Sequence, residues 1–83
     1  MMKRSKYVIL ANILYICKDG ANKTRIVYLA KLNFINVNPY IDLLIKNNLI
    51  MIKQGRTVLY ETTDKGISLL DNFKHVNSQL SEL

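Results

Sequence analysis

The feature that most constrains this chain is the stretch from Leu32 to Ile52, where a helical pattern of apolar residues runs directly into a strand pattern. Apolar side chains recur at the three-to-four spacing that places them on one face of a helix, namely Phe34, Val37, Ile41, Leu44 and Ile45. The opposite face collects small or polar groups, namely Ile35, Asn36, Asn38, Pro39, Asp42 and Lys46. The pattern predicts a helix that packs one face against a core. Its other face is able to approach base edges in a groove.

A basic hairpin is predicted directly after this helix. Residues 49–53 and 57–62 read as two short strands, and Gln54, Gly55 and Arg56 form a tight turn between them. A helix followed by a basic hairpin is the core of a winged helix. We therefore interpret the helix as a recognition helix and the hairpin as its wing, with Lys53, Gln54 and Arg56 as candidate contacts.

Pro39 leaves two interpretations of where the recognition helix begins. Deep in a helix, proline removes a backbone hydrogen bond and costs ~3 kcal/mol, whereas at the first position it is tolerated. Either the helix starts at Asn38, with Pro39 as its first residue, or one helix starts near Phe34 and is kinked or loosened around Asn36 to Asn38. We favour the second interpretation because Phe34 and Val37 already keep the apolar register of the residues that follow.

Capping residues mark the boundaries of the other helices. The helix starts are assigned to Ser5, to Asn22, to Asn33 for the recognition helix, and to Thr62, Thr63 or Asp64. The ends are placed at Gly20 in a left-handed conformation, near Lys31, at Asn47 and Asn48, and at about Leu80. The first helix, from Lys6 to about Lys18, is apolar almost all round, so it is expected to be covered on more than one side.

The second helix opens with Lys23, Thr24 and Arg25, an unusual first turn. Cations at a helix N-terminus oppose the macrodipole, which favours acids there. A bound phosphate would compensate, and these side chains with the backbone N–H groups make a reasonable phosphate site. A first turn that is merely solvated explains the same residues equally well.

The charge distribution favours a polyanionic partner. The chain has 83 residues, enough for one small domain, and a net charge of +6. Residues 1–60 hold ten Lys or Arg against two Asp, a charge of +8, and residues 61–83 hold two Lys against four acids, a charge of −2. We assign residues 1–63 to a winged-helix part and residues 64–83 to a dimerisation helix within one structural domain. A generically basic protein without such a partner is the alternative.

The final helix carries an apolar stripe with heptad spacing. Its residues are spaced 4, 3, 4 and 3 apart, namely Leu69, Phe73, Val76, Leu80 and Leu83. An exposed stripe of this kind on a monomer calls for a partner, so a homodimer joined along this helix is expected. The alternative is a stripe that folds back onto the core of its own subunit.

Motifs for catalysis or metal binding are not recognisable in the sequence. Cys17 is the only cysteine, which excludes an intrachain disulfide and fits a reducing compartment. His75, the only histidine, has no Cys or acidic cluster at ligand spacing, and the carboxylates are scattered. The sequence therefore predicts a protein that is not an enzyme, with no cofactor, metal or small-molecule ligand. The apolar run after Lys6 is too short to cross a bilayer, so a cytoplasmic, nucleoid-associated location without membrane contact is expected.

Three segments in order resemble the small archaeal winged-helix DNA-binding regulators. They are Lys23-Thr24-Arg25-Ile26 opening the second helix, the run from Tyr40 to Ile45 before Leu49-Ile50, and Thr63-Asp64-Lys65-Gly66 opening the last helix. The resemblance covers roughly residues 7 to 80. It implies a mainly α fold with a small β-hairpin wing in the order α1-α2-α3-β-β-α4, whose C-terminal helix dimerises as an antiparallel coiled coil.

The resemblance also implies how duplex DNA is held. Phosphate contacts are expected from Lys23, Thr24 and Arg25, and wing contacts around residues 53–56. Groove contacts are expected from the exposed side of the third helix, namely Asn33, Ile35, Asn36, Asn38, Pro39 and Lys46. This sequence departs from the family by carrying asparagines and Pro39 where longer polar residues are common, and by its short final helix.

The function expected from residues and resemblance together is a homodimeric DNA-binding protein that regulates transcription. Asn36 and Asn38 are candidates to read bases, since an Asn amide can pair with adenine in the major groove. The same two residues also suit the start or kink of a helix. Two other hypotheses are an architectural DNA-binding protein with little sequence preference and a winged-helix module that binds proteins.

Overall fold

A computed structural model describes the backbone of residues 5–81 and the side chains of residues 5–75. The elements along the chain are α1 (Lys6–Ile16), α2 (Lys23–Ala30), α3 (Val37–Lys46), β1 (Ile50–Gln54), β2 (Val58–Thr62) and α4 (Asp64–Ser81). This confirms the predicted order of three helices, a two-stranded hairpin and a final helix.

Side-chain caps fix the starts of three helices where the sequence places them. The Ser5 hydroxyl accepts a hydrogen bond from the Val8 amide at 3.2 Å, and the Asn22 side chain accepts one from the Arg25 amide at 2.8 Å. Thr63 is the cap of α4, since its hydroxyl accepts from the Gly66 amide at 3.1 Å. Each cap pairs a helix-start N–H group that would otherwise have no partner within the helix.

The start of α3 differs from the interpretation we favoured. The helix begins at Val37, and residues 34–36 form a turn instead of its first residues. The Asn33 side chain accepts hydrogen bonds from the amides of Ile35 and Asn36 at 3.0 and 2.6 Å, so it caps this turn. Pro39 is then the third helical residue, where a missing N–H group costs no intrahelical hydrogen bond. The structure is therefore close to the first interpretation, with the start one residue earlier.

Phe34 was expected on the buried face of this helix, and that expectation is wrong. Its side chain is 53% exposed. Phe34 lies in the turn before α3 and not within the helix. The other predicted positions confirm the apolar face, because Val37, Ile41 and Leu44 are fully buried and Ile45 is half-buried.

The core is built around α1, which packs against α2, α3 and α4. Its buried members come from every element except β2, namely Ile9, Ile13, Leu14, Cys17, Ala21, Ile26, Ala30, Val37, Ile41, Leu44, Ile50 and Leu70. This confirms that the first helix is covered on more than one side. Burial raises the pKa of the Cys17 thiol to about 12, so Cys17 serves as a small apolar core residue.

The hairpin is anchored to the core at its base and free at its tip. The two strands pair antiparallel from Ile50 opposite Thr62 to Gln54 opposite Val58. The buried Thr62 hydroxyl donates to the Leu14 carbonyl at 2.7 Å, and an isolated bridge joins Ala21 to Tyr60. Residues 55–57 at the tip are exposed. The fold therefore holds the base of the hairpin firmly and leaves its turn exposed to solvent.

Helix α4 is seated against the end of α3 and the start of β1. The Thr63 hydroxyl donates to the Asn48 carbonyl at 2.7 Å, and Asn48 itself is left-handed with a φ of 59°. Gly66 lies so close to the Leu49 carbonyl and the Thr62 methyl that a Cβ at this position would clash with both. The lack of a side chain at Gly66 is what lets α4 approach the start of β1 this closely.

Candidate nucleic-acid interface

The first turn of α2 carries the three side chains predicted to hold a phosphate. Thr24 and Arg25 are exposed and Lys23 is half-buried. The Asn22 cap already occupies the Arg25 amide through its side chain, and the Asn22 carbonyl accepts from the Ile26 amide at 3.1 Å. At the N-terminus of α2, therefore, at most the backbone amides of Lys23 and Thr24 remain available to an anion. The side chains of the first turn are available in addition.

Lys23 joins this turn to the recognition helix. Its ammonium donates a hydrogen bond to the Asn38 side-chain oxygen at 2.8 Å, although the two residues are fifteen positions apart. An ammonium group has three N–H donors, so this hydrogen bond leaves two of them for a phosphate. The bond also orients the Asn38 amide, whose NH2 group remains as a donor. The structure thus brings together one predicted phosphate contact and one predicted base contact.

The turn before α3 presents an apolar side chain to solvent. Ile35 is 80% exposed, and the two hydrogen bonds from its own and the next amide to Asn33 fix the backbone around it. Asn33 was counted among the groove contacts, but its side-chain oxygen is occupied by these bonds. Its role in the structure is to shape the turn that holds Ile35 outward.

The exposed side of α3 has the composition that the sequence indicated. Its accessible residues are Asn36, Asn38, Pro39, Asp42 and Lys46. Asn36 makes no side-chain cap hydrogen bond, so its amide is not consumed by the helix start. With one acid and one base along this face, its local charge is balanced. The positive charge near this surface comes from α2 instead.

The wing offers fewer available cations than the sequence suggested. The Lys53 ammonium forms an ion pair with the Glu61 carboxylate at 2.8 Å across the two strands. Gln54 and Arg56 are exposed beside and within the turn. Arg56 is therefore the cation at the wing tip that is best placed to reach a phosphate, while Lys53 is partly neutralised.

Tyr28 is an accessible residue that the sequence analysis missed. It is 81% exposed and lies one helical turn after Thr24, on the face of α2 that also carries Arg25. Tyrosine hydroxyls are common donors to DNA phosphates. Tyr28 follows Arg25 by three residues and Thr24 by four. This spacing places it on the same helix face, so the sequence alone could have identified Tyr28.

A second surface of the domain is an apolar groove between α1 and α4. It has a volume of about 310 Å³, and its walls include Tyr7, Leu10, Leu69 and Phe73. Leu69 is 47% exposed and Phe73 is half-buried, so two members of the predicted heptad stripe are accessible. The side chains of Val76 and Leu80, and Leu83 as a whole, lie outside the described residues.

Across residues 5–75, no three metal-ligating side chains lie together. None of the helices, over its described length, is long and apolar enough to cross a lipid bilayer.

Helices α2 and α3 joined by a short turn, followed by a two-stranded wing, define a winged helix-turn-helix protein. Comparison with known families agrees, and the chain belongs to the winged helix-turn-helix family, whose model matches residues 3–81. The match spans nearly the whole chain, including the final helix.

Similar proteins are known from archaea and bacteria. An uncharacterized protein of Methanocaldococcus jannaschii is 39% identical over 79 residues, which are 93% of this chain and 81% of the relative. The crystal structure of Sso10a-2, a DNA-binding protein from Sulfolobus solfataricus, has a TM-score of 0.77 and 28% identity, and the match covers 95% of this chain and 87% of that one. BpsR of Bordetella bronchiseptica, whose DNA binding is regulated by 6-hydroxynicotinic acid, has a TM-score of 0.76 over 96% of this chain and 58% of its own. At 16% identity, BpsR shares the fold alone.

Proposed function

We propose that this protein binds duplex DNA as a homodimer and regulates transcription. The observation that carries the proposal is the hydrogen bond from Lys23 to Asn38, which unites a basic helix start and a recognition helix into one surface. The +8 charge of residues 1–60 supplies the long-range attraction to a polyanion. The likeness to Sso10a-2, a DNA-binding protein, supports the same assignment.

The proposed contacts divide into those that hold phosphates and those that face bases. Lys23, Thr24, Arg25 and the wing-tip Arg56 hold the backbone, which gives affinity that falls with salt. Asn36 and Asn38 face the base edges. Because its side-chain oxygen is engaged by Lys23, Asn38 acts chiefly as an NH2 donor, whereas Asn36 keeps both groups for an adenine.

The homodimer is proposed to form along α4, with the partner's α4 lying antiparallel across the α1–α4 groove. The groove is almost entirely apolar, and the half-exposed Leu69 lies at its edge in the heptad stripe. A stripe of that spacing suits a partner helix. A dimer built this way places two equivalent recognition helices on separate half-sites of one duplex.

An architectural role with little sequence preference is the second candidate. The observation that favours it is that the accessible side chains at the start of α3 are short, namely Asn36, Asn38 and Pro39. The helix carries no arginine or glutamine. Arginine paired with guanine is the commonest strong base contact, and this face has none to make.

One experiment tests both candidates and the third hypothesis of a protein-binding module. The purified protein is titrated with random and genomic duplex libraries at two salt concentrations, and the retained duplexes are sequenced. Enrichment of a two-fold symmetric motif supports the regulator. Tight, salt-sensitive binding without enrichment supports the architectural role, and no binding at either salt overturns DNA binding altogether.

A further inference from the structure

Ile35 is a large apolar side chain held in solvent by a rigid piece of backbone. It is 80% exposed, and the Asn33 side chain accepts from the amides of Ile35 and Asn36 at 3.0 and 2.6 Å. Its β-branched side chain has a restricted χ1, so few directions are open to it. Single exposed apolar residues are ordinary on protein surfaces. Ile35 differs in that the side chain of Asn33 fixes the backbone that carries it.

Ile35 lies in the turn immediately before the N-terminus of α3, the end of a recognition helix that faces base edges. It lies two residues before Val37, the start of α3, and N-terminal residues of recognition helices contact base edges. Its exposed neighbours are Phe34, Asn36 and Pro39. Ile35 and these neighbours form the tip of the interface, which presents apolar side chains and a side-chain amide. No charged side chain lies among residues 33–41. The cations of the interface stand beside the tip, at Lys23 and Arg25.

Only one base presents an apolar group on its major-groove edge. Thymine carries a C5-methyl group there, whereas adenine, guanine and cytosine present hydrogen-bonding groups. An exposed aliphatic side chain gains free energy by covering such a methyl and loses it by covering unpaired donors or acceptors. A tip made of Ile35 and Asn36 is therefore complementary to an A·T pair.

We propose that Ile35 is a specificity-determining residue that packs on thymine C5-methyl groups in the major groove. The protein consequently prefers A·T-rich duplexes even where no symmetric consensus exists. This inference rests on the proposed DNA-binding function and deepens it, because it names the class of base that the surface selects. It holds for a regulator and for an architectural protein alike.

The test removes the C5-methyl group of thymine and leaves base pairing unchanged. Affinities are measured for one A·T-rich duplex made with thymine and again with uracil in every thymine position, at the same low salt. For the natural protein, loss of the methyl should weaken binding by about fourfold for each contacted thymine. Ile35→Ala should bind the two duplexes equally, and Ile35→Val, which keeps a β-branched apolar side chain, should retain most of the preference.

Two further measurements tie the effect to the methyl group and to this residue. A G·C-rich duplex carrying 5-methylcytosine presents a methyl at the same ring position, so it should bind the natural protein more tightly than its unmethylated form. Val58→Ala removes an exposed apolar residue from the wing and should leave the thymine-to-uracil ratio unchanged. Thermal melting of all variants confirms that the exposed position does not alter folding.

The outcomes separate this inference from the proposed function. Equal affinity of the natural protein for thymine and uracil duplexes overturns the role of Ile35 while DNA binding stands. If Ile35→Ala keeps the preference for thymine, the role of Ile35 is overturned as well. This includes the case in which the variant loses affinity for both duplexes by the same factor. No binding to any duplex at low salt overturns the proposed function itself.

Discussion

The Lys23 ammonium lies 2.8 Å from the Asn38 side-chain oxygen and donates a hydrogen bond to it, which links the first turn of α2 to the exposed side of α3. A residue expected to hold a phosphate thus also orients a residue expected to face the bases. In solvent such a bond between exposed groups contributes little to folding. In the proposed complex with DNA, the Asn38 amide is already oriented before binding, so less side-chain freedom is lost on association.

A double-mutant cycle should detect this link. Lys23→Ala, Asn38→Ala and the double variant are titrated with the same duplex. We expect a coupling energy of at least ~0.5 kcal/mol, because residues in contact are non-additive. The matched cycle pairs Arg25→Ala with Asn38→Ala, and should be additive because, within the described residues, Arg25 forms no hydrogen bond with Asn38. Additivity in both cycles would show that the hydrogen bond plays no part in binding.

Arg56 at the wing tip should act through phosphates alone. Arg56→Ala is expected to weaken binding to all sequences alike and to reduce the slope of log K against log salt by about 1. Lys74→Ala, which removes the same charge from α4 near the Tyr15 ring, should alter the slope far less. A changed order of preference among duplexes in Arg56→Ala would contradict the phosphate role.

The ion pair between Lys53 and Glu61 should restrain the wing's affinity for DNA. Glu61→Gln keeps the shape of the side chain but releases the ammonium of Lys53, whose side chain is 52% exposed. We expect tighter binding at low salt and a salt slope steeper by up to about 0.9, the value for one more neutralised phosphate. Folding should lose less than about 1 kcal/mol, as is usual for an accessible ion pair.

Asp71→Asn is the matched control for that variant. It makes the same change in net charge at an exposed position of α4. If both variants tightened DNA binding equally, overall charge would explain the effect and the ion pair would have no specific role. A fluorescence titration over a range of salt concentrations measures both slopes.

Local chemistry made much of this fold predictable. Ser5, Asn22 and Thr63 each cap a helix within three residues of the amide they pair with, so the sequence contains both partners of the hydrogen bond. The buried positions of α3 followed from their spacing, since a helix of this amphipathicity has one face to bury. The strand, turn and strand of the wing were likewise encoded in adjacent residues.

Contacts between distant residues were not predictable in the same way. Periodicity placed Phe34 on the buried face, but the Asn33 side chain captures two amides and turns the chain before α3 begins. Lys23 meets Asn38 because α2 and α3 both pack against α1, and strand register sets Lys53 near Glu61. Those placements depend on packing of the whole core, which no short window of sequence contains.

Leu69 should be needed for the proposed dimer. Leu69→Asp places a charge at the edge of the α1–α4 groove, and we expect the protein to sediment as a monomer because a buried unpaired carboxylate is costly. Ser68→Asp adds the same charge at the neighbouring exposed position and should stay dimeric. Sedimentation velocity distinguishes the two. A natural protein that is monomeric at high concentration would show that the groove is not a dimer interface.

Gly66 should be essential for seating α4, whereas Gly55 in the wing turn should tolerate a side chain. A Cβ at Gly66 would clash with the Leu49 carbonyl and the Thr62 methyl, so Gly66→Ala is expected to cost about 1–3 kcal/mol or more despite the better helix propensity of alanine. No atom lies within 4 Å of a Cβ built at Gly55, and its φ is not positive, so Gly55→Ala should change stability by less than about 1 kcal/mol. Urea denaturation compares the two variants at equal protein concentration. Equal stability would mean that α4 can move away from β1 without loss, and that the close approach at Gly66 contributes nothing to the fold.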